Sequence, residues 1–390
     1  MVKRILSFFS LFLVLVSCQA QVSGLNKELI VGASRTSSYL PLIDGKRVAL
    51  VVNHTAVIGK THLLDSLLRL RVNVKKIFAP EHGFRGNGDA GEAIPSSIDA
   101  QSGKLIISLY GQNKKPSKSD LSDVDVIVFD IQDVGVRFYT YISTLKYVME
   151  ACAENNKHLI VLDRPNPNGD YIDGPVLQMT YSSFIGVVPI PVVYGTTIGE
   201  LALMMNGEGW LSGGNKCNLT VVSLENYNRT TRYSLPLKPS PNLPNDRSVR
   251  LYPSLCFFEG TNISVGRGTL FPFQVVGYPD STFGEFEFMP MALNGMAKNP
   301  LQENKRCYGL DLRDRIDGDR FTLKYLLDFY GNFKNKEAFF SSEKFFNLLA
   351  GNSLLIKQIK DNKSEKEIRE SWQLDLDNYK RIRAKYLLYP

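Results

Sequence analysis

The sequence predicts an α/β fold, in which a Rossmann-like, doubly wound and mainly parallel sheet is followed by a second, smaller α+β C-terminal domain. Five apolar runs rich in β-branched residues lie between positions 47 and 162. These runs are continuous rather than alternating, which is typical of strands buried on both faces of a parallel sheet. Segments with helical periodicity separate several of them, and strand–helix alternation predicts a doubly wound sheet.

The elements of the first domain are predicted in chain order. Thr197 and Glu200 fit the capping box that opens a helix. Apolar runs predict strands at 47–53, 74–79, 105–109, 124–129, 159–162 and 219–224, and helical spacing predicts helices at about 60–70 and 140–154.

A proline-rich stretch marks the predicted junction between the domains. Five prolines fall between positions 234 and 254, a change of composition that is typical of a boundary. We therefore predict a first domain over 46–235 and a second domain over 236–390. In this second half, a strand is predicted at 273–278 and helices at 322–330, 339–350 and 364–386.

The N-terminal residues have the pattern of an export signal. Lys3 and Arg4 precede an apolar segment, 5–16, which is too short to span a bilayer, and Leu-Val-Ser-Cys ends at Cys18. We predict a lipoprotein signal peptide at 1–17, lipidation of Cys18 and a linker at 18–45. The protein is then exported and lipid-anchored to a bacterial membrane, facing the periplasm. An ordinary signal peptide with a chance cysteine is the alternative.

Composition excludes several classes of partner. The net charge of +7 is small for 390 residues and is scattered, so nucleic acid is not predicted. Residues 86–91 match Gly-x-Gly-x-x-Gly but lack the strand–turn–helix context of a dinucleotide site. The histidines at 54, 62 and 82 lack the spacing of metal ligands. We predict neither cofactor nor metal, and no oligomeric state is predicted.

Polar residues follow the predicted strands at the ends where a doubly wound sheet binds its ligands. The 78–92 loop carries Glu81, His82, Arg85 and Glu92 among four glycines. A second polar loop, 258–269, is predicted to face the same ligand. The alternative for 78–92 is a solvated loop, and the alternative for 258–269 is a hairpin-forming loop. The predicted substrate-binding residues are Asn53, His54, Arg85, Asp130, Gln132, Asp133, Arg137, Asp163, Arg164, Glu259, Asn262 and Arg267.

Several long motifs in order carry a resemblance to a known family. They are Pro-Glu-His-Gly-Phe-Arg-Gly at 80–86, Asp-Ile-Gln-Asp-Val-Gly-Val-Arg-Phe-Tyr-Thr-Tyr at 130–141, Asp-Arg-Pro-Asn-Pro-Asn-Gly at 163–169, and the segments 173–176, 193–200, 240–244 and 259–269. From about Lys46 onward the chain resembles the exo-β-N-acetylmuramidase family of bacterial peptidoglycan-salvage glycosidases. The resemblance implies that 46–235 is a Rossmann-like catalytic domain, that 236–390 is an auxiliary domain that closes the cleft, and that the site lies in the cleft between them. It also implies release of N-acetylmuramic acid from non-reducing ends of peptidoglycan-derived saccharides.

Glycoside cleavage usually requires two carboxyl groups. We predict Glu81 and Glu92 as the catalytic pair, with His82 tuning a neighbouring acid or binding a hydroxyl. Rivals for either role are Asp130, Asp133 and Asp163.

N-acetylmuramic acid carries a lactyl carboxylate, which an arginine can bind through two parallel hydrogen bonds. The candidates are Arg85, Arg137, Arg164 and Arg267. A non-catalytic periplasmic lipoprotein that binds cell-wall sugars is the alternative function. A hydrolase of another bond is a third, although no Gly-x-Ser-x-Gly motif is present.

Overall fold

A seven-stranded sheet forms the centre of the first domain. The computed structural model describes residues 28–86, 88, 92, 95–315 and 319–390, so the predicted signal peptide and Cys18 lie outside the described residues. The strands of this domain are β1 (Val48–Val52), β2 (Val57–Ile58), β3 (Thr61–His62), β4 (Val74–Ala79), β5 (Ser97–Ile98), β6 (Leu105–Ser108), β7 (Val126–Asp130), β8 (His158–Leu162) and β9 (Asn218–Val222).

The order of the strands confirms the predicted fold class. The sheet runs β5-β6-β4-β1-β7-β8-β9, and β2 and β3 form a separate hairpin. Every pairing in the sheet is parallel except that of β5 with β6. The chain therefore winds outward from β1 to β6 and then returns to the other side of β1 at β7. A doubly wound sheet reverses in this way at the crevice where ligands bind.

Helices flank the sheet and continue through the second domain. They are α1 (Thr36–Ile43), α2 (Leu63–Arg69), α3 (Tyr141–Glu154), α4 (Ile198–Gly207), α5 (Asp246–Leu255), α6 (Lys324–Asn332), α7 (Glu343–Ala350), α8 (Leu354–Lys360), α9 (Glu365–Ser371) and α10 (Gln373–Arg383). The predicted capping box of Thr197 and Glu200 is present at the start of α4. No helix in the described ranges is long and apolar enough to cross a membrane.

Helix α2 begins later than the sequence predicted. The expected start near position 60 is occupied by the β2–β3 hairpin, and His62 caps the helix by accepting a hydrogen bond from the Leu64 amide. The other ring nitrogen of His62 lies 2.9 Å from the Asn53 carbonyl oxygen. This histidine therefore has a structural role.

Part of the segment expected to be a linker packs against the sheet. Ile30 pairs with Glu225 in an isolated bridge, and the Gly32 amide donates to the Asp163 carbonyl oxygen at 2.9 Å. A Cβ atom on Gly32 would lie 2.5 Å from backbone atoms of the strand ends, so only glycine fits there. Residues 30–43 are thus part of the first domain.

The second domain contains a small antiparallel sheet. Its strands are β10 (Val275–Tyr278), β11 (Phe286–Phe288) and β12 (Cys307–Asp311), in the order β10-β12-β11. One continuous apolar core joins this domain to the first, and in it the Phe138 ring contacts both Tyr252 and Phe257 edge-on.

Residues 386–390 return from the second domain to the first. The Tyr389 hydroxyl donates to the Asp163 carboxylate at 2.6 Å and accepts from the Leu224 amide at 2.8 Å. The Arg229 amide donates to the Pro390 carbonyl oxygen. This tail therefore completes the hydrogen bonding at the β8 and β9 ends of the sheet.

Candidate active site

A cavity of about 900 Å³ lies between the strand ends of the first domain and the loops of the second. Its wall from the first domain includes Glu81, His82, Glu92, Tyr110, Lys114, Phe138, Tyr139, Thr140, Tyr141 and Phe184. Its wall from the second includes Ser240, Asn242, Tyr252, Glu259, Arg267, Phe273, Met296, Lys298 and Phe345. Ligand sites are commonly of this volume and mix apolar surface with a few polar groups.

The turn after β4 places Glu81 and His82 at the cavity. His82 has a φ of 68°, in the left-handed region that costs a non-glycine residue about 1–2 kcal/mol. Its Nδ1 donates to the Gly88 carbonyl oxygen at 2.8 Å, which helps to hold the turn. Backbone strain of this kind is concentrated at functional sites.

The Glu81 carboxylate is anchored by a hydroxyl group at the start of α3. Thr140 Oγ1 donates to Glu81 Oε2 at 2.5 Å, and Glu81 is only 9% exposed. Tyr110 lies beside it, and burial, then the Glu81 charge, raises the pKa of Tyr110 above its ordinary value. Tyr110 and Thr140 therefore keep this carboxylate oriented in a largely dry environment.

The two other carboxylates of the cavity wall are both ion-paired. Glu92 Oε1 lies 2.6 Å from Lys298 Nζ, and this pair joins the two domains. Glu259 Oε1 lies 2.6 Å from Arg267 Nε within the second domain. The Glu92 side chain is 36% exposed, so it is more open to water than Glu81.

Asp130 and Arg164 bind each other and do not line the described cavity. Arg164 Nε and Nη2 lie 2.5 and 2.8 Å from the two carboxylate oxygens of Asp130, and both side chains are buried. Asp163 accepts hydrogen bonds from Thr197, Gly199 and Tyr389, while burial raises its pKa to about 6. These placements give no support to the prediction that the three residues bind substrate.

The side chains of Asp133 and Gln132 are likewise buried inside the protein. Asp133 accepts from the Gly135 amide at 2.7 Å and from the Tyr194 hydroxyl, and burial raises its pKa to about 7. Gln132 Nε2 donates to the carbonyl oxygens of Asp133 and Pro165 at 2.8 and 2.7 Å. Both residues shape the strand-end loops.

Arg137 is fully buried and donates only to backbone oxygens in the described structure. Its guanidinium reaches the carbonyl oxygens of Pro175 (2.6 Å), Ile190 (2.9 Å) and Leu349 (2.7 Å). Burial lowers the pKa of Arg137 to about 9. The residue therefore braces both domains and is not positioned to bind a substrate carboxylate.

The remaining predicted residues also lie outside the cavity wall. Asn53 Nδ2 donates to the Tyr141 hydroxyl at 2.9 Å and so supports a wall residue from behind. His54 donates to the Lys238 carbonyl oxygen at 2.8 Å, and burial lowers its pKa. Arg85 pairs with Asp99 at 2.5 Å, and Asn262 donates to the Ala338 carbonyl oxygen at 2.6 Å.

Several wall residues were not among those predicted. Tyr110 follows the third predicted strand, and Thr140 and Tyr141 end the 130–141 motif, so position alone could have indicated them. Lys114 and Lys298 have no such signal, because they lie in ordinary polar segments. Among the described residues, no group of three or more His, Cys, Asp and Glu side chains could hold a metal ion.

Known proteins resemble the chain over nearly its whole length. Two family models, described as exo-beta-N-acetylmuramidase NamZ, N-terminal and C-terminal, match residues 48–247 and 250–389. The peptidoglycan beta-N-acetylmuramidase NamZ of Bacillus subtilis (strain 168) is 37% identical over 374 residues, which cover 90% of this chain and 89% of the relative.

Two crystal structures of DUF1343 family proteins from Bacteroides fragilis NCTC 9343 share the fold. They match with TM-scores of 0.86 and 0.78 at 46% and 30% identity. Each match covers 93% of this chain and 99% of the other, so the likeness includes both domains.

Proposed function

We propose that this chain, which belongs to the exo-β-N-acetylmuramidase family, removes N-acetylmuramic acid from non-reducing ends in the cavity between its two domains. The chain is a glycoside hydrolase, a peptidoglycan β-N-acetylmuramidase. The alternative of a binding protein without activity is therefore not retained. The cavity of about 900 Å³ offers room for a terminal sugar and its neighbour, which is what action at a chain end requires.

Glu81 and Glu92 are the proposed carboxyl pair. Both line the cavity, whereas their rivals Asp130, Asp133 and Asp163 are committed to partners inside the protein. Glycosidases separate the two roles by environment, with the acid in the drier position and the base or nucleophile in the more polar one.

The observation that carries this proposal is the Thr140–Glu81 hydrogen bond at the buried side of the cavity. We assign the proton donor for the leaving oxygen to Glu81, and the base or nucleophile to Glu92 beside Lys298. His82 lines the same wall, and we assign to it the binding of a substrate hydroxyl.

Turnover of a chromogenic β-N-acetylmuraminide tests the proposal, with the matching N-acetylglucosaminide as the comparison. We expect release from the first, and a loss of at least about a hundredfold in kcat for Glu81→Gln and for Glu92→Gln, as for lost acid–base groups. Glu259→Gln tests the third wall carboxylate. A normal rate for Glu92→Gln together with a large loss for Glu259→Gln would transfer the second role to Glu259.

We also propose that the protein is exported and lipid-anchored through Cys18. The basic start, the short apolar segment and the cysteine that follows Leu-Val-Ser support it. Cys18→Ala should move the protein from the membrane fraction to the soluble fraction of fractionated cells, since a single lipidated residue provides the anchor. Unchanged membrane association in this variant would contradict the anchor.

A further inference from the structure

Three lysine and arginine side chains are among the described residues that line the cavity, and they differ in what neutralises them. Arg267 is paired with Glu259, and Lys298 with Glu92, each at 2.6 Å. Lys114 forms no ion pair with a carboxylate in the described part of the chain. It is therefore the wall cation whose charge is left for a ligand.

Lys114 is held in position by an aromatic ring. Its Nζ lies 4.8 Å from the centroid of the Phe184 ring, an arrangement that stabilises a cation. Phe184 stacks on Tyr147, and its carbonyl oxygen accepts from Ser143 at 2.7 Å, both residues of α3. Because the ring is fixed by the helix, the ammonium group is positioned before a ligand arrives.

Aromatic contacts along the cavity wall connect Lys114 to the proposed acid. A chain of contacts leads from Glu81 to the neighbouring Tyr110, whose ring meets the Phe184 ring edge-on at 5.6 Å, and then to Lys114. In N-acetylmuramic acid the lactyl carboxylate hangs from the ring carbon next but one to the anomeric carbon. A cation that binds it must accordingly be offset from the catalytic acid across the ring.

We propose that Lys114 binds the lactyl carboxylate of the terminal sugar and so selects N-acetylmuramic acid over N-acetylglucosamine. This inference rests on the proposed function. The arginines suggested by the sequence are less suitable, because Arg137 and Arg164 are buried away from the cavity and Arg85 and Arg267 already bind carboxylates. A substrate carboxylate gains most from a cation that has no competing partner.

Removing the charge from the lactyl carboxylate or from Lys114 tests the inference. The substrates are a chromogenic β-N-acetylmuraminide and the methyl ester of its lactyl group, and the variant is Lys114→Met. We expect the wild type to prefer the acid by about tenfold to a hundredfold in kcat/KM, the usual range for a hydrogen bond to a charged group. Lys114→Met should lose this preference and keep its rate on the ester, whereas Lys114→Arg should retain part of it.

Lys115→Met is the matched control. Lys115 is the next residue, lies outside the cavity wall and pairs with Glu154 at 2.8 Å on the surface. Surface pairs contribute little to stability, so this variant should behave like the wild type on both substrates.

Two results would overturn the inference: an unchanged preference in Lys114→Met, or an equal loss on acid and ester. If the wild type turned over neither substrate, the proposed function would fail. Calorimetric binding of N-acetylmuramic acid and its methyl ester to the wild type and Lys114→Met would then decide the role of Lys114 by itself.

Discussion

Removal of the Tyr389 hydroxyl should destabilise the protein more at neutral than at acid pH. The hydroxyl donates to buried Asp163 and accepts from the Leu224 amide, so Tyr389→Phe leaves both groups one partner short. A hydrogen bond to a charged group contributes about 1.5–3 kcal/mol and a neutral one about 1 kcal/mol. We therefore expect a loss of about 3 kcal/mol in the free energy of unfolding at pH 8 and about 2 kcal/mol at pH 5.

The pH dependence follows from the titration of Asp163. Burial raises its pKa from 3.8 to about 6 in the folded protein, so the native state binds the extra proton between these values. The free energy of unfolding therefore falls as the pH rises from 3.8 to about 6 and Asp163 ionises. The Tyr389 hydroxyl reduces this loss, because it donates a hydrogen bond to the ionised carboxylate. At pH 5 the carboxyl is mostly protonated, and removing the hydroxyl costs less.

Urea denaturation at pH 5 and pH 8 measures this difference. Tyr386→Phe is the control in the same tail, because its hydroxyl donates to Glu208 at 2.6 Å near the surface. That hydrogen bond lowers the pKa of Glu208, which stays ionised at both pH values. An equal cost of Tyr389→Phe at the two pH values, or a cost no larger than that of Tyr386→Phe, would refute the reasoning.

Two further predictions concern the loop that carries Glu81. Thr140→Val should lower kcat by roughly tenfold to a hundredfold, because Glu81 loses the hydrogen bond that orients its carboxyl group. Thr140→Ser should restore most of the rate, and equal rates in both variants would exclude a role for the hydroxyl. Gly86→Ala should cost about 2–4 kcal/mol in chemical denaturation, since Gly86 has a φ of +71° and a Cβ there would lie 2.0 Å from His54 Nδ1. Gly45→Ala, with a φ of +65° and open space around it, should cost only about 1 kcal/mol, and equal losses would contradict the packing argument.

The sheet could be predicted from the sequence because its central strands are buried on both faces. Runs such as Val48–Val52 and Val126–Asp130 contain little but apolar residues, which is a local signal. The β2–β3 hairpin was missed, since two strands of two residues each carry no period that a pattern search could detect.

The site was harder to predict because strand-end charges can face either a cavity or each other. Asp130 and Arg164 are 34 positions apart, and nothing local shows that they form a buried pair. Lys114 presents the opposite case, since its importance comes from the absence of a carboxylate partner among the described residues. Both outcomes depend on distances between strand ends, which only the folded chain defines.

The buried guanidinium of Arg137 fixes how the enzyme can admit its substrate. Its N–H groups donate to the carbonyl oxygens of Pro175 and Ile190 in the first domain and Leu349 in the second. Burial, rather than a counter-charge, is the main influence on the pKa of Arg137. Any hinge opening at this point would separate the buried Arg137 guanidinium from the carbonyl oxygens that bind it, at a cost of several kcal/mol. We therefore expect the two domains to move as one rigid body, with selectivity arising from fit to a preformed chamber rather than from closure around the sugar.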